Sequence, residues 1–204
     1  MPRPKRQGER RSLIIEAAGR AVRERGLAEV RVRDIAEHAG LSPGSVLYYY
    51  PEIAELMLEV HNGAVSDFYR ARVERIGAER EPGAKLRAAV HSGLPADAED
   101  AVARLLYEMH SLADRSAGHA ALMSSLFDRE VALYRSVLEL GSGLGEFTLA
   151  RPLEEIARNT VALEDGYGLH LISGNRSLNA AEARAALLGY LAVMTARTDL
   201  LDQR

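Results

Sequence analysis

Apolar residues recur at helical spacing near the start of the chain, in three short groups. The first group predicts an amphipathic helix over about residues 10 to 25 that ends at Gly26. The second group, in the stretch VRVRDIAEHAG, predicts a helix of about two turns that ends at Gly40. Ser42 and Pro43 then supply an N-cap and a proline at the first helical position. A third helix therefore begins at Pro43 and stops near Tyr50, because proline follows at position 51.

The rest of the chain continues the helical pattern in longer segments. Breaks rich in glycine and proline separate predicted helices at about residues 52–78, 84–92, 97–115, 118–140, 152–173 and 179–198. No run alternates between apolar and polar residues over a useful length, so we expect no strands. The fold class is therefore all-α, with a three-helix domain at residues 1–54 and a larger helical domain at residues 55–204.

The two short helices are joined through Gly40, Leu41 and Ser42, which is the spacing of a helix-turn-helix. In this motif the second helix enters the major groove of DNA. The alternative is an ordinary helical hairpin inside a bundle. We favour the DNA-binding interpretation because bundles rarely hold so short a helix between two prolines, with three consecutive tyrosines at its end.

Charge is distributed unevenly along the chain. Residues 1–50 hold ten Lys and Arg against six Asp and Glu, whereas the remainder holds sixteen against twenty-three. This asymmetry favours a polyanionic partner for the N-terminal part, although chance could also produce it. The chain has no cysteine, no signal-peptide core and no long apolar run, which together indicate a cytoplasmic protein without a membrane partner.

No sequence motif supports an enzyme. The glycines of LGSGLGEF follow a predicted helix and lack the order of a phosphate-binding loop, no histidine has the spacing of a metal ligand, and no serine lies in a nucleophile elbow. We therefore expect no catalytic residue, no cofactor and no metal. A helical adaptor without DNA binding and a small-molecule enzyme remain the alternatives.

The stretch VRDIAEHAGLSPGSVLYYYP, preceded by one helix and followed by an all-helical remainder, resembles the tetracycline-repressor (TetR) family of transcriptional regulators. Downstream, GLGEF at 143–147 and EDGYGLHLISG at 164–174 are similar to the regulatory domain of the subgroup typified by the choline-responsive repressor. The resemblance implies a repressor that binds a palindromic operator as a dimer and is released by a small-molecule effector. The positions that match the two motif helices are Ile35, Ala36, Ala39, Gly40, Ser42, Gly44, Ser45 and the tyrosines.

The resemblance also assigns roles to the tyrosines. Tyr50 takes the place of a core aromatic, whereas Tyr48 and Tyr49 remain outside, where a phenol can bond a phosphate and pack on a sugar or thymine methyl. Family members commonly have tyrosine at the position of Leu47 and lysine at that of Ile53, so two phosphate contacts of the family are missing here. The candidate DNA-binding residues are Arg31, Arg33, Ser42, Pro43, Gly44, Ser45, Leu47, Tyr48 and Tyr49.

Two further expectations concern Arg31 and residues 1–8, which lie before the helix-turn-helix. Arg31 stands where a capping threonine or serine is usual in the family, so the second helix loses a cap worth about 1 kcal/mol. Residues 1–8 form either a flexible arm, whose Arg3, Lys5 and Arg6 enter the minor groove, or a disordered solubilising tail. No Arg, Asn or Gln lies between residues 42 and 50, so specificity should rest on tyrosine, serine and methyl contacts and on DNA shape.

The last two predicted helices carry the expected homodimer interface, because one recognition helix reads too few base pairs to specify a site. The alternative is that their apolar residues form the interior of a single chain. The candidate interface residues are Ile156, Thr160, Glu164, Gly168, Leu171, Leu187, Leu191 and Met194.

An unknown small-molecule effector is expected to bind between helices of the larger domain. The candidates are aromatic, methionine and histidine residues in otherwise apolar helices, and each such residue alone is more often an ordinary core residue than part of a pocket. They are Tyr107, Met109, His110, Met123, Phe127, Tyr134, Tyr167 and His170.

Overall fold

The computed structural model describes residues 3–201, with side chains from residue 7. This range contains nine α-helices and one short 3₁₀ helix, and no strand occurs within it, which confirms the all-α fold class. The α-helices are α1 (Arg3–Arg25), α2 (Val32–Ala39), α3 (Pro43–Tyr49), α4 (Ile53–Ala78), α5 (Pro82–Gly93), α6 (Ala101–His110), α7 (Ala117–Gly143), α8 (Leu153–Ile172) and α9 (Ala180–Thr195), and the 3₁₀ helix is Thr198–Leu201.

The observed helix bounds differ most from the predicted ones at the start of α1 and at both ends of α6, which stops at His110 rather than near residue 115. The backbone is helical from Arg3, well before the predicted start near residue 10, because most residues ahead of the apolar stripe are Arg, Lys, Gln or Glu, which are good helix formers. At α6 the predicted start at residue 97 is too early. The Asp100 carboxylate accepts hydrogen bonds from the N–H groups of Val102 and Ala103, both at 3.1 Å, and so caps a helix that begins after it.

The buried stripe of α4 also differs from the sequence prediction. The helical spacing of the apolar residues predicts one stripe made of Ile53, Leu56, Met57, Val60, Ala64, Phe68 and Val73. The Val73 side chain is nevertheless 42% exposed, whereas the neighbouring Arg72 is only 1% exposed. The apolar pattern assigned the charged residue to solvent because burying an unpaired charge is costly. Arg72 avoids this cost because it is paired with the buried carboxyl groups of Glu130 and Glu164.

Contacts divide the described chain into two compact units. The first contains the chain up to Ser66 together with Arg104–Met123, and the second contains Asp67–Ala103 and the chain from Ser124 onward. The sequence placed the boundary at residue 54 and assigned all later residues to the larger domain. The segment Arg104–Met123 instead packs with the helix-turn-helix helices.

Each unit has its own apolar core. The core of the first unit joins α1, α2 and α3 to the start of α4 and to α6, through residues such as Ile14, Ile35, Val46, Leu56 and Met109. The core of the second unit is larger and joins α5, α7, α8 and α9 to the end of α4. Between residues 3 and 201, no helix combines the length and the apolar character needed to cross a bilayer.

Candidate nucleic-acid interface

The turn between α2 and α3 has the geometry that the sequence predicted. Gly40 adopts a left-handed conformation with φ 63°, which a residue without a Cβ takes at little cost. The N–H groups of Gly40 and Leu41 donate to the carbonyls of Glu37 and Ala36 at 3.1 and 2.9 Å, and so close the end of α2. Leu41 is half-buried against the first core, which fixes the direction in which the chain leaves α2.

The start of α3 is held by a side-chain cap. The Ser42 hydroxyl accepts a hydrogen bond from the Ser45 N–H at 3.1 Å and lies 2.9 Å from the Ser45 hydroxyl. Pro43 occupies the first helical position, as predicted, and Val46 is fully buried beneath the helix. The two ends of this short helix are therefore fixed to the first core.

The start of α2 lacks a side-chain cap, as expected from Arg31. A guanidinium has no acceptor, so the Asp34 N–H bonds the Arg31 carbonyl at 2.9 Å instead. The buried Asp34 carboxylate accepts from the Arg31 N–H at 2.9 Å and also pairs with Arg25 at 3.1 Å. The Asp34 carboxylate, in the first turn of α2, thus replaces part of the missing cap by accepting from the residue that precedes the helix.

The three tyrosines occupy three different environments. Tyr50 is fully buried and donates its hydroxyl to Glu59 at 2.8 Å, which agrees with the core role predicted for it. Tyr48 is 78% exposed. Tyr49, which we expected outside, is half-buried against the first core, and its ring contacts the Tyr48 ring edge-on at 5.3 Å. Only Tyr48 therefore presents its whole ring to a partner.

The other candidate DNA-binding residues lie mainly at the surface of the motif. Leu47 is 42% exposed, and Ser45 is half-buried. The exposed candidates are Arg31, Arg33, Ser42, Pro43, Gly44, Leu47 and Tyr48. Of the predicted N-terminal arm, residues 1 and 2 and the side chains of Arg3, Lys5 and Arg6 lie outside the described part of the structure, and the backbone of residues 3–8 belongs to α1 rather than to an extended arm.

Two polar contacts attach Arg104–Met123 to the rest of the first unit. The Leu27 N–H donates to the Glu108 carboxylate at 2.6 Å, next to Gly26, whose φ is 80°. The buried rings of His61 and His119 stack, with their Nδ1 atoms 2.8 Å apart. Sequence reasoning missed all of these polar residues. One sequence signal could have indicated the histidine pair: His61 lies on the apolar stripe of α4, one helical turn from each of Met57 and Val65.

The candidate effector residues fall into both units. Met109 is fully buried in the first core and Tyr134 in the second, while His110 and His170 are exposed rather than set in apolar faces as expected. His170 lies 3.4 Å from the Asn175 side chain. The remaining candidates, Tyr107, Met123, Phe127 and Tyr167, are half-buried.

A buried charged cluster lies in the second unit. The fully buried Arg72 guanidinium donates to Glu130, to both oxygens of Glu164 at 2.9 and 3.1 Å, and to the Ala89 carbonyl at 3.2 Å. The Tyr134 hydroxyl donates to Glu164 at 2.8 Å. Burial, together with the charge of Glu164, raises the pKa of Glu130 to about 8 although Arg72 opposes the shift. The cluster therefore favours the protonated form of the Glu130 carboxyl more strongly than water does.

The predicted dimer residues lie inside the second core. Ile156, Leu187 and Leu191 are fully buried, Thr160, Glu164, Gly168 and Leu171 are also buried, and Met194 is half-buried. The structure corrects the choice of face, because these apolar residues are already used within one chain. The exposed stripe of α8 runs through Ala162, Gly166 and Leu169, and that of α9 runs through Ala185, Ala186 and Val193.

A compact unit whose first three helices contain a helix-turn-helix, together with a larger helical unit, is the architecture of a helix-turn-helix transcriptional regulator. Family models assign the chain more narrowly. The model described as bacterial regulatory proteins of the tetR family matches residues 14–60, and the model of the BetI-type transcriptional repressor C-terminal domain matches residues 82–196. The chain belongs to the tetR family of bacterial regulatory proteins and carries a BetI-type C-terminal domain.

Individual relatives agree with this assignment. The uncharacterised HTH-type transcriptional regulator YfiR of Bacillus subtilis is 24% identical over 165 residues, which cover 79% of this chain and 78% of the relative. The HTH-type transcriptional regulator BetI of Agrobacterium fabrum is 30% identical over 97 residues, 48% of this chain and 47% of the relative. Both are named as regulators and neither as an enzyme.

Solved structures share the fold. A TetR transcription regulator from Haloarcula marismortui has a TM-score of 0.82 at 21% identity, covering 92% of this chain and 99% of the other. A transcriptional regulator from Saccharomonospora viridis, crystallised in complex with choline, has a TM-score of 0.82 at 23% identity, covering 90% of this chain and 96% of the other.

Proposed function

We propose that this regulator is a cytoplasmic repressor that binds a palindromic DNA operator as a homodimer and is released by a small-molecule effector. The observation that carries the proposal is the exposed end of α3. Leu47 and Tyr48 project from a helix whose start is capped by Ser42 and whose end is fixed by the buried Tyr50. An exposed leucine and an exposed tyrosine side by side on a helix that is anchored at both ends are suited to contact with a partner.

In this proposal α3 lies in the major groove. The Tyr48 phenol bonds a phosphate, and its ring packs on a sugar or a thymine methyl. Arg31 and Arg33 are exposed near the start of α2 and contact the phosphates of the DNA beside the groove. Specificity then depends on a few tyrosine, serine and methyl contacts and on the shape of the site, because α3 carries no Arg, Asn or Gln.

The test is an electrophoretic shift with the intergenic DNA beside the gene, repeated over a salt series. We expect a retarded complex that weakens steeply with salt, and about a tenfold loss of affinity in Tyr48→Ala. Leu144→Ala, which alters a side chain that is 62% exposed in the second unit, is the matched control and should bind like the wild type. If no DNA is bound even at low salt, the adaptor alternative is favoured, and turnover of a substrate would favour the enzyme.

The dimer is proposed to form through the exposed stripes of α8 and α9. Small residues at Ala162, Gly166 and Ala185 allow helices of two copies to approach closely, and Leu169 and Val193 are 52% and 67% exposed apolar side chains. We expect the wild type to elute as a dimer and Val193→Glu as a monomer in size-exclusion chromatography with light scattering. A wild type that remains monomeric at micromolar concentration contradicts the dimer.

The effector is proposed to act on the second unit, because the BetI-type match covers most of that unit. Choline is the first probe, since a structural neighbour was crystallised with it. A ligand that binds only the folded state at about a hundred times its Kd adds about 2.7 kcal/mol of stability, which thermal unfolding detects easily. We expect choline to raise the Tm and to lower operator affinity. An unchanged Tm at millimolar choline excludes this ligand class.

A further inference from the structure

A charged side chain of α1 contacts both the end of α3 and the start of α4. One terminal nitrogen of Arg11 donates to the Tyr49 carbonyl at 3.2 Å, and the other donates to Glu55 at 3.1 Å and to Glu59 at 2.6 Å. The second oxygen of Glu59 accepts the Tyr50 hydroxyl at 2.8 Å. The Arg11 guanidinium also lies 4.2 Å from the centre of the Tyr50 ring. We call Arg11, Tyr50 and Glu59 the α3 clamp.

The clamp acts at the weakest point of the recognition helix. α3 spans only Pro43–Tyr49, so most of its carbonyls lack a partner within the helix. A cation that bonds the last carbonyl is favoured both as a hydrogen-bond donor and by the negative end of the helix dipole. Arg11 supplies this cation to Tyr49, which directly follows the exposed Tyr48.

Glu59, in α4, holds the residue that follows α3. Each of its oxygens accepts one charged or phenolic donor, so the carboxylate cannot rotate without losing one of them. Burial alone would raise the pKa of Glu59, but the bonds from Arg11 and Tyr50 outweigh it and hold that pKa below its ordinary value. The carboxylate is therefore ionised at neutral pH and holds Tyr50, the residue that ends α3.

We propose that Arg11 and Glu59 are positioning residues for DNA recognition, which hold the last turn of α3 in the orientation that presents Tyr48 to the DNA. The inference rests on the proposed DNA-binding function and extends it to two residues that do not themselves contact DNA. Glu59 supports binding although its negative charge, taken alone, repels phosphate. The sign of its effect on affinity therefore separates positioning from simple electrostatics.

The experiment compares Glu59→Gln with Glu52→Gln on an operator duplex mapped by footprinting. Both variants remove one negative charge at or near the start of α4, but Glu52 is exposed and its side chain makes no hydrogen bond or ion pair with any residue that the structure describes. We expect Glu52→Gln to bind the operator as tightly as the wild type or more tightly. Glu59→Gln keeps the shape of the side chain but removes the negative charge that strengthens its bonds to Arg11 and Tyr50, and it should bind about tenfold more weakly.

A double-mutant cycle with Tyr48→Ala distinguishes positioning from a general loss of stability. It is measured at a temperature where circular dichroism shows every variant to be folded. If the clamp positions Tyr48, Tyr48→Ala costs much less affinity in the Glu59→Gln background than in the wild type. Equal costs in the two backgrounds overturn the inference, as does wild-type affinity in Glu59→Gln.

Tyr50→Phe provides a second test of the inference if Glu59→Gln does not fold. It removes only the hydroxyl that Glu59 accepts and leaves the buried ring in place, and it should weaken operator binding about threefold. Unchanged affinity in Tyr50→Phe would then overturn the inference. If the wild-type protein binds no DNA, the proposed function itself fails, whereas specific binding by the wild type together with unaffected clamp variants defeats only the inference.

Discussion

Acidification should destabilise the first unit through the His61 and His119 pair. His61 is fully buried, and its Nε2 has no hydrogen-bond partner among the described residues. The tautomer with His61 Nδ1–H donating to His119 Nδ1 leaves only a lone pair unsatisfied, which costs less than a buried unpaired N–H. A proton added to Nε2 would create such a group and a buried charge as well. Burial, the neighbouring His119 and, to a smaller extent, His110 lower the pKa of His61 to about 4.

The size of the effect follows from the difference between the folded and unfolded states. The unfolded chain takes up a proton at His61 as the pH falls through 6.5, whereas the folded protein resists until about 4. The free energy of unfolding therefore falls as the pH decreases across this window. Between about pH 7.5 and pH 5 the loss from His61 alone is about 2 kcal/mol. His119, whose pKa burial also lowers, adds to the loss in the same direction.

The assay is denaturant unfolding followed by circular dichroism at a series of pH values and at constant protein concentration. The control is the double variant His61→Leu and His119→Leu, because replacing both partners leaves no unsatisfied polar group. The other four histidines are the same in both proteins, so the difference between the two curves reports the pair. If both proteins lose equal free energy between neutral and mildly acidic pH, the pair is not held neutral and the reasoning is refuted.

Three further predictions concern the charged cluster of the second unit. Glu164→Gln weakens the main partner of the buried Arg72, so we expect a loss of about 3–5 kcal/mol in denaturant unfolding, and a loss below about 1 kcal/mol would contradict this. Glu130→Gln resembles the protonated form that burial favours, so in denaturant unfolding at a series of pH values its stability relative to the wild type should rise as the pH increases from about 4.5 towards 8, and a constant difference would contradict this. Gly93→Ala places a Cβ 1.7 Å from a Glu164 oxygen and should lower stability by at least about 1–3 kcal/mol, whereas an unchanged Tm would show that the cluster can move aside.

The parts of the fold that follow local rules could be predicted from the sequence. The end of α2 needs a left-handed residue, and Gly40 provides it, while Ser42 and Pro43 start α3 through a cap and a fixed φ. These signals lie within a few residues of the structure that they determine. The all-α class followed from the helical spacing of apolar residues, whereas the burial of Tyr50 followed from the family resemblance.

The parts that depend on distant partners could not be predicted in this way. Glu108 belongs to a segment that sequence order assigned to the larger domain, yet it accepts from the N–H of Leu27 in the first unit. The apolar residues of α8 and α9 predict a buried face, but not whether a second chain or the same chain covers it. In this structure the same chain covers most of them.

The pattern of apolar and polar residues did not predict that Arg72 is buried. A window of sequence assigns an arginine to solvent, and only Glu130 and Glu164, which lie far along the chain, make its burial possible. Because an arginine without these partners is so costly, any packing that shifts α4 against α7 or α8 by one helical position is disfavoured. Apolar contacts alone discriminate poorly between such registers, since one leucine can replace another at modest cost. We therefore expect the cluster to contribute more to the uniqueness of the packing of the second unit than to its net stability.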